Sequence, residues 1–327
     1  MNVLVTGGAG YVGSVVAEEL LKKGHECLVL DNLQQGHREA VPVGAEFVKA
    51  DICDEAAIKA VFGRFEIGAV MHMAAETVVE YSMTDPKRYF RTNITGGINL
   101  LNAMLEHDVK KFVFSSTAAV YGEPQSIPIS EEHATLPINS YGESKLMFER
   151  ILNWYGKAYG LKFICFRYFN ACGASECLGE DHLPETHLIP NILKAALGQS
   201  QFVTVFGDDY ETSDGSCIRD YVHVADIAQA HVLALQHLDH RNGNRAYNLG
   251  SSQGYSVTEV IEAARRVTGS DIPAVVQARR SGDPAILVAS SAQAKADIGW
   301  QPKWLQLENI IECAWKWSKE HPDGYKS

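Results

Sequence analysis

The chain has 327 residues, of which 46% are hydrophobic and 21% charged, and its formal net charge is −11. That is globular composition, enough for one large domain or for a large and a small lobe sharing a core boundary. The acidic balance, with no run of Lys and Arg to offset it, argues against a nucleic-acid partner and an anionic membrane surface, so an anionic ligand needs its own pocket of Arg and backbone N–H groups.

Two further exclusions come from the cysteines and the N-terminus. Cys27, Cys53, Cys165, Cys172, Cys177, Cys217 and Cys313 are scattered, with no C-x-x-C pair. Free thiols in a reducing cytoplasm are expected rather than a disulfide framework. The opening MNVLVTGGAG has no charged leader, and no apolar run approaches the ~18 residues of a span, so neither a signal peptide nor a membrane helix is expected.

In chain order, short apolar runs alternate with helical patterns. The runs are NVLVT (2–6), ECLVLD (26–31), AEFVKAD (45–51), AVMHMAA (69–75), KKFVFSS (110–116) and LKFICFRYF (161–169). Between them lie GSVVAEELLKKG (13–24) and NITGGINLLNAMLEH (93–107), the latter with Ile94, Ile98, Leu101 and Leu105 at helical spacing. Buried strands separated by helices predict an α/β fold, a doubly wound parallel sheet of Rossmann type covered on both faces.

Gly7, Gly10 and Gly13 in TGGAGYVG (6–13) follow the first strand and open the first helix. Such glycines also make ordinary tight turns. Here the helix N-terminus adds free N–H groups and a positive dipole end, which suit a pyrophosphate. Asp31 ends the second strand, near the distance at which a carboxylate accepts from a ribose diol and repels a 2′-phosphate. NAD is therefore expected over NADP, with a turn or capping role as the plain alternative for Asp31. Asp51 ends the third run; it either touches adenine or caps the helix DEAAIKAVF.

The fifth run ends in Ser115, Ser116 and Thr117, at the sheet edge where ligands bind in such folds. NSYGESK (139–145) then places Tyr141 four residues before Lys145. Four residues advance about 6 Å along a helix and return to nearly the same face. Taken alone, such a pair is an ordinary solvated turn; beside strand-end hydroxyls it becomes a candidate proton-transfer pair. Deprotonating a phenol near neutrality needs a shift of roughly 3 units, about 4 kcal/mol. One cation at ~4 Å supplies about that at an effective dielectric of ~20, but only about 1 kcal/mol in water. The pair therefore needs a shielded site and gains from a second positive charge.

After Asn170 the pattern loosens. Residues 171–190 read as a long functional loop. Its Glu180, Asp181, His182, Glu185 and His187 have a composition able to bind a divalent ion, but the proposed proton transfer needs none and no metal is assigned. A smaller mixed α/β substrate lobe is expected over 171–327, against a cofactor lobe over 1–170 to which a segment near 220–245 could return. WLQLENIIECAWKWSKEH (304–321) reads as an amphipathic helix.

TGGAGYVG, the strand-end hydroxyl, the Tyr-x-x-x-Lys pair and RDYVHVAD (219–226) together resemble the extended branch of the short-chain dehydrogenase/reductase superfamily. Within it, SSTAAVYG, NSYGESKLMFE, FRYFNACGA, THLIP and RDYVHV, in that order, resemble the UDP-glucose 4-epimerases. The resemblance implies inversion at carbon 4 of UDP-galactose or UDP-glucose through a 4-keto sugar, using tightly held NAD. It implies Tyr141 as acid/base, Lys145 beside it, and Thr117 with Ser116 as proton relay. For NAD it implies Gly7, Gly10, Tyr11, Val12, Gly13, Asp31, Asn32, Asp51, Ile52, Met73, Ala74, Ala75, Asn93, Tyr141, Lys145 and Phe169. For the UDP-sugar it implies Thr117, Tyr141, Asn170, His187, Leu188, Thr204, Val205, Phe206, Arg219, Arg280, Asp283 and Leu287, with the guanidinium groups on the diphosphate. It also implies a homodimer, through helices near 86–107 and 144–158.

Dehydrating relatives carry an acidic pair just after the strand-end Thr. Here Ala118 and Ala119 stand there and carry no proton, which argues against elimination and decarboxylation. The text departs from some relatives at His187, where they have Asn, and at Leu287, where they have Tyr. The smaller Leu suggests that UDP-N-acetylhexosamines are also admitted, unless Leu287 is simply core. Two rivals stand beside the main reading: a 4-epimerase for another UDP-sugar such as UDP-glucuronate or UDP-N-acetylglucosamine, and a non-catalytic dinucleotide-sensing regulator. The latter has no need of Tyr141 and Lys145.

Overall fold

The structure is a computed structural model, and it describes residues 1–240, 244–280 and 283–325. The first half alternates strand and helix: β1 (Asn2–Thr6), α1 (Tyr11–Lys22), β2 (Glu26–Asp31), β3 (Glu46–Lys49), α2 (Glu55–Arg64), β4 (Ala69–His72), α3 (Val79–Thr84), α4 (Pro86–Phe90), α5 (Gly97–Glu106), β5 (Lys111–Thr117), α6 (Ser140–Tyr159) and β6 (Lys162–Tyr168). The second half holds β7 (Asn170–Cys172), α7 (Leu188–Ala196), β8 (Val203–Phe206), β9 (Ile218–His223), α8 (Val224–His240), β10 (Arg245–Leu249), β11 (Gly254–Ser256), α9 (Val257–Thr268), β12 (Ala274–Gln277), β13 (Ile286–Leu287), α10 (Ala292–Ile298) and α11 (Leu307–Glu320).

Seven strands pair in parallel in the order β3-β2-β1-β4-β5-β6-β10. Alternation along each strand sends side chains to opposite faces. Val3 and Val5 of β1 enter one core with α1, α8 and α10, while Leu4 joins the other with α2, α5 and α6. Both faces are thereby dry, which is why these strands read as unbroken apolar runs. Each fully buried Leu or Phe contributes roughly 1.5–3 kcal/mol. The order reverses between β1 and β4, and ligands bind at the carboxyl ends of strands flanking such a switch point. Among the described residues no helix is long and apolar enough to cross a membrane.

The second half is not one contiguous lobe. After β9 the chain comes back: α8 packs on α1 and β10 extends the large sheet beside β6. The remainder forms a small sheet, in which β9 pairs with β7, β11 and β13, and a β8–β12 pair. These surround a separate core with α7, α9 and α11. Because β7 follows β6 after a single residue, the small sheet begins at the carboxyl edge of the large one.

Candidate active site

Local sequence explains how Tyr141 is presented. Asn139 caps α6, its side-chain oxygen accepting from the Gly142 N–H at 2.8 Å. Tyr141 is therefore the second helical residue. Gly142 lets the helix end settle on the turn after β5, since a Cβ there would lie 2.5 Å from the Ala119 carbonyl oxygen. That contact brings Tyr141 to Thr117. Burial raises the phenol's pKa, and a hydrogen bond with the Thr117 side chain pulls it back down.

One turn on, Lys145 is 3% exposed. Its Nζ donates to the Ser115 carbonyl at 2.8 Å and lies 5.9 Å from the centre of the Tyr141 ring. Burial lowers its pKa to about 7, against a smaller upward pull from Glu149. Without ligands, desolvation thus works against both charges, leaving a neutral phenol beside an amine that titrates near neutrality.

Ser116 departs from its expected part in the relay. Its hydroxyl donates to Glu149, because strand alternation turns it away from the face that carries Ser115 and Thr117. Glu149 is also held by Arg167 through paired contacts of 3.0 and 2.6 Å, and Arg167 reaches the Tyr121 hydroxyl at 2.9 Å. This buried Glu149–Arg167 pair supports the site and escaped the sequence reading. An acid four residues after Lys145 and a lone Arg in an apolar strand were its signals.

The nucleotide cradle is built from backbone. Gly7 has φ +70°, and a Cβ on it would lie 2.5 Å from the Ala74 nitrogen. A Cβ on Gly13 would lie 2.1 Å from the Gly7 carbonyl oxygen, so both glycines are demanded by packing. Gly10 differs: its Cβ would meet only that oxygen, at 3.3 Å. No side chain caps α1, so the first-turn N–H groups, those of Tyr11 and Val12 included, have no capping side chain as partner. A dinucleotide pyrophosphate fits that cradle. Tyr11's own hydroxyl is spent on the Gly173 carbonyl at 2.6 Å.

Asp31, at the end of β2, accepts from the Ala9 and Leu33 N–H groups at 3.1 and 2.8 Å. Burial nevertheless lifts its pKa above the usual carboxylate value. Asn32 donates to Asp51, which also accepts from the Cys53 N–H at 2.8 Å. The helix cap is Asp54, not Asp51. Ile52 is buried, while Met73, Ala74 and Ala75 follow β4 at the switch point. Asn93 is spent on protein contacts, bridging Glu76 and Ser144. Phe169 is buried where β6 passes into β7.

The expected nucleotide-sugar residues gather on the small sheet. Asn170 donates to the Asp220 carbonyl at 3.0 Å. Arg219 on β9 pairs with Asp283, and Leu287 on β13 stands in register with Arg219. On β8, Val205 turns into the lobe's core, leaving Thr204 and Phe206 on the other side. Arg280 lies 4.0 Å over the Phe206 ring, and among the described residues no carboxylate pairs with it. Ser281 and Gly282 of the RRSGD string lie outside the described residues. His187 is the N-cap residue of α7, just before Leu188, and its ring is held by Glu180 and Glu185. Leu287 is partly buried and packs against the small core that includes Ala118 and Phe169.

The glycine cradle, the paired Tyr and Lys and the hydroxyl at the end of β5 coincide with a sequence model of the NAD dependent epimerase/dehydratase family, which matches residues 3–250. The chain belongs to that family. Within it, the chain is 52% identical to a UDP-glucose 4-epimerase of Halalkalibacterium halodurans, over 100% of this chain and 98% of the relative. A crystal structure of a UDP-glucose 4-epimerase superposes with a TM-score of 0.97 at 48% identity, covering 100% of both chains. The Bifidobacterium longum UDP-glucose 4-epimerase in complex with NAD+ and UDP gives 0.95 at 37% identity, over 99% of this chain and 100% of that one.

Proposed function

We propose that the protein is an NAD-dependent 4-epimerase of UDP-hexoses, interconverting UDP-galactose and UDP-glucose. The observation that carries this reading is the half-buried Tyr141, its phenol bonded to Thr117, beside the buried Lys145, with two alanines where an elimination would need acids. Its full-length likeness to UDP-glucose 4-epimerases supports the substrate class.

The first turn of α1 and Asp31 would hold NAD, which when bound would supply hydride acceptance and then hydride donation at carbon 4. The chain's own part is the proton and the pocket. Tyr141 Oη takes the 4-hydroxyl proton and later returns it, with Thr117 Oγ1 bonded to the same phenol. Lys145 provides positive charge when protonated and stabilises the phenolate. Arg219 and Arg280 offer counter-charge to the diphosphate, and Phe206 backs Arg280. Asn170, Thr204 and Leu188 complete the nucleotide pocket. Inversion requires that the keto sugar present its other face before the proton returns.

Several finer points belong to the same reading. The cofactor lobe is 1–170 with α8 and β10, and the rest of 171–327 is the substrate lobe. UDP-N-acetylhexosamines are admitted beside Leu287. The chain is a cytoplasmic homodimer, supported by seven free cysteines and by exposed Met147 and Trp154 on α6, at 38% and 67%. The test is direct: the purified chain carries NAD absorbance and converts UDP-galactose without added cofactor. Conversion of no UDP-sugar, with NAD bound, overturns the reading in favour of a dinucleotide sensor.

A further inference from the structure

The loop before α7 gathers four donor side chains, of which only His187 has an expected place at the UDP-sugar and none moves a proton or a hydride. His187 Nδ1 lies 2.8 Å from Glu180 Oε1 and 3.0 Å from Glu185 Oε1. His182 Nδ1 lies 3.2 Å from the same Glu180 oxygen and 3.9 Å from Glu185 Oε2. All four donor atoms fall within 4.8 Å of one another. The carboxylates are buried, with side chains 8% and 3% exposed, whereas the imidazoles reach outward. A tetrahedral zinc-type ion has nitrogen and carboxylate ligands at about 2.0–2.2 Å, which puts neighbouring donors about 3.3–3.6 Å apart. The observed spacings bracket that value.

Two buried carboxylates this close repel unless positive charge stands between them. Two imidazole Nδ1 atoms converging with them make a set of two nitrogens and two oxygens, which suits zinc and its neighbours rather than magnesium or calcium. The position gives such an ion a consequence. His182 packs edge-on to Tyr11 in the first turn of α1, at 6.3 Å between ring centres. His182 and His187 line a cavity with Ala75, Glu76 and Val78 at the end of β4, and His187 is the N-cap residue of α7. An ion there would tie the 180–187 loop to α7 over the cofactor end of the cleft.

We propose that Glu180, His182, Glu185 and His187 form a tetrahedral site for a zinc-type divalent ion, one that orders this loop and takes no part in proton or hydride transfer. The proposal does not rest on the epimerase reading, and its test reads the ion, not turnover. The full chain is treated with a chelator, dialysed, and titrated with Co2+ while visible absorption is followed. Roughly one equivalent of Co2+ producing the strong bands of tetrahedral coordination, displaced by Zn2+, is the expected result. The bands are lost in Glu180→Gln and in His182→Ala, each checked for retained fold by circular dichroism. If the native chain gives only the weak bands of hydrated Co2+, the imidazoles neutralise the carboxylates by protonation alone and the proposal is overturned. Unchanged strong bands in both folded variants overturn it equally.

Discussion

Replacing Lys145 with Met trades activity for stability, and the size of the trade follows from burial. Met has similar length and no charge. The native amine's pKa falls from 10.5 to about 7. A depressed pKa means the folded state resists protonation, so wild-type stability is fullest above 10.5 and is lost as pH falls through about 7. Some 3.5 units correspond to about 5 kcal/mol withheld near neutrality. The variant escapes that cost but loses the 2.8 Å bond to the Ser115 carbonyl, leaving an acceptor unmet at about 1–3 kcal/mol. Lys145→Met is therefore expected to be about 2–4 kcal/mol more stable than wild type near pH 7, with the gap closing as pH rises and reversing to about 1–3 kcal/mol in favour of wild type by pH 10.5. Urea unfolding of the cofactor-stripped proteins at several pH values measures this. Parallel stability profiles between pH 7 and pH 10 would mean that Lys145 is not desolvated, and the reasoning would fail.

Other substitutions separate fold from ligand. Gly10→Ala costs little stability, its Cβ meeting only the Gly7 carbonyl oxygen at 3.3 Å, but weakens NAD binding at the cradle; Gly13→Ala, 2.1 Å from the same oxygen, lowers stability strongly, and thermal melts with NAD titrations tell the two apart. Glu149→Gln strips Arg167 of its buried counter-charge and costs about 3–5 kcal/mol in urea unfolding, so a neutral outcome would refute the pairing. Leu287→Tyr lowers kcat/KM for UDP-N-acetylgalactosamine more than for UDP-galactose; equal effects would place Leu287 outside the sugar pocket.

How much of this was legible depends on the range of the interactions. The strands of the large sheet are local apolar runs, so 2–6 and 26–31 stand where the sequence put them. The small sheet was not legible. β7 has three residues and β13 two, and both gain their meaning only by pairing with β9, which no local period records. Tyr141 and Lys145 were readable because four residues on a helix share a face. Ser116 was misjudged although strand alternation, applied to Ser115, Ser116 and Thr117, already separates it from its neighbours. From the sequence, Lys145 is legible only as a charge beside Tyr141. Burial also acts on the lysine itself, and that required the packing of α6 on β5. His182 and His187 were noticed for composition, but convergence of their Nδ1 atoms on two buried carboxylates is a property of the folded loop.

The central claim is that Lys145 and the bound cofactor make the Tyr141 phenol acidic enough to move a sugar's proton near neutrality. With Nζ 5.9 Å from the centre of the Tyr141 ring, one charge acting over about 6 Å at an effective dielectric of ~20 is worth about 3 kcal/mol, or about 2 pH units. Ultraviolet difference titration of the NAD-loaded protein, with Tyr141→Phe identifying the tyrosinate signal, measures the shift directly. The phenol should titrate about 2 units higher in Lys145→Met than in wild type. Equal values in the two proteins contradict the claim.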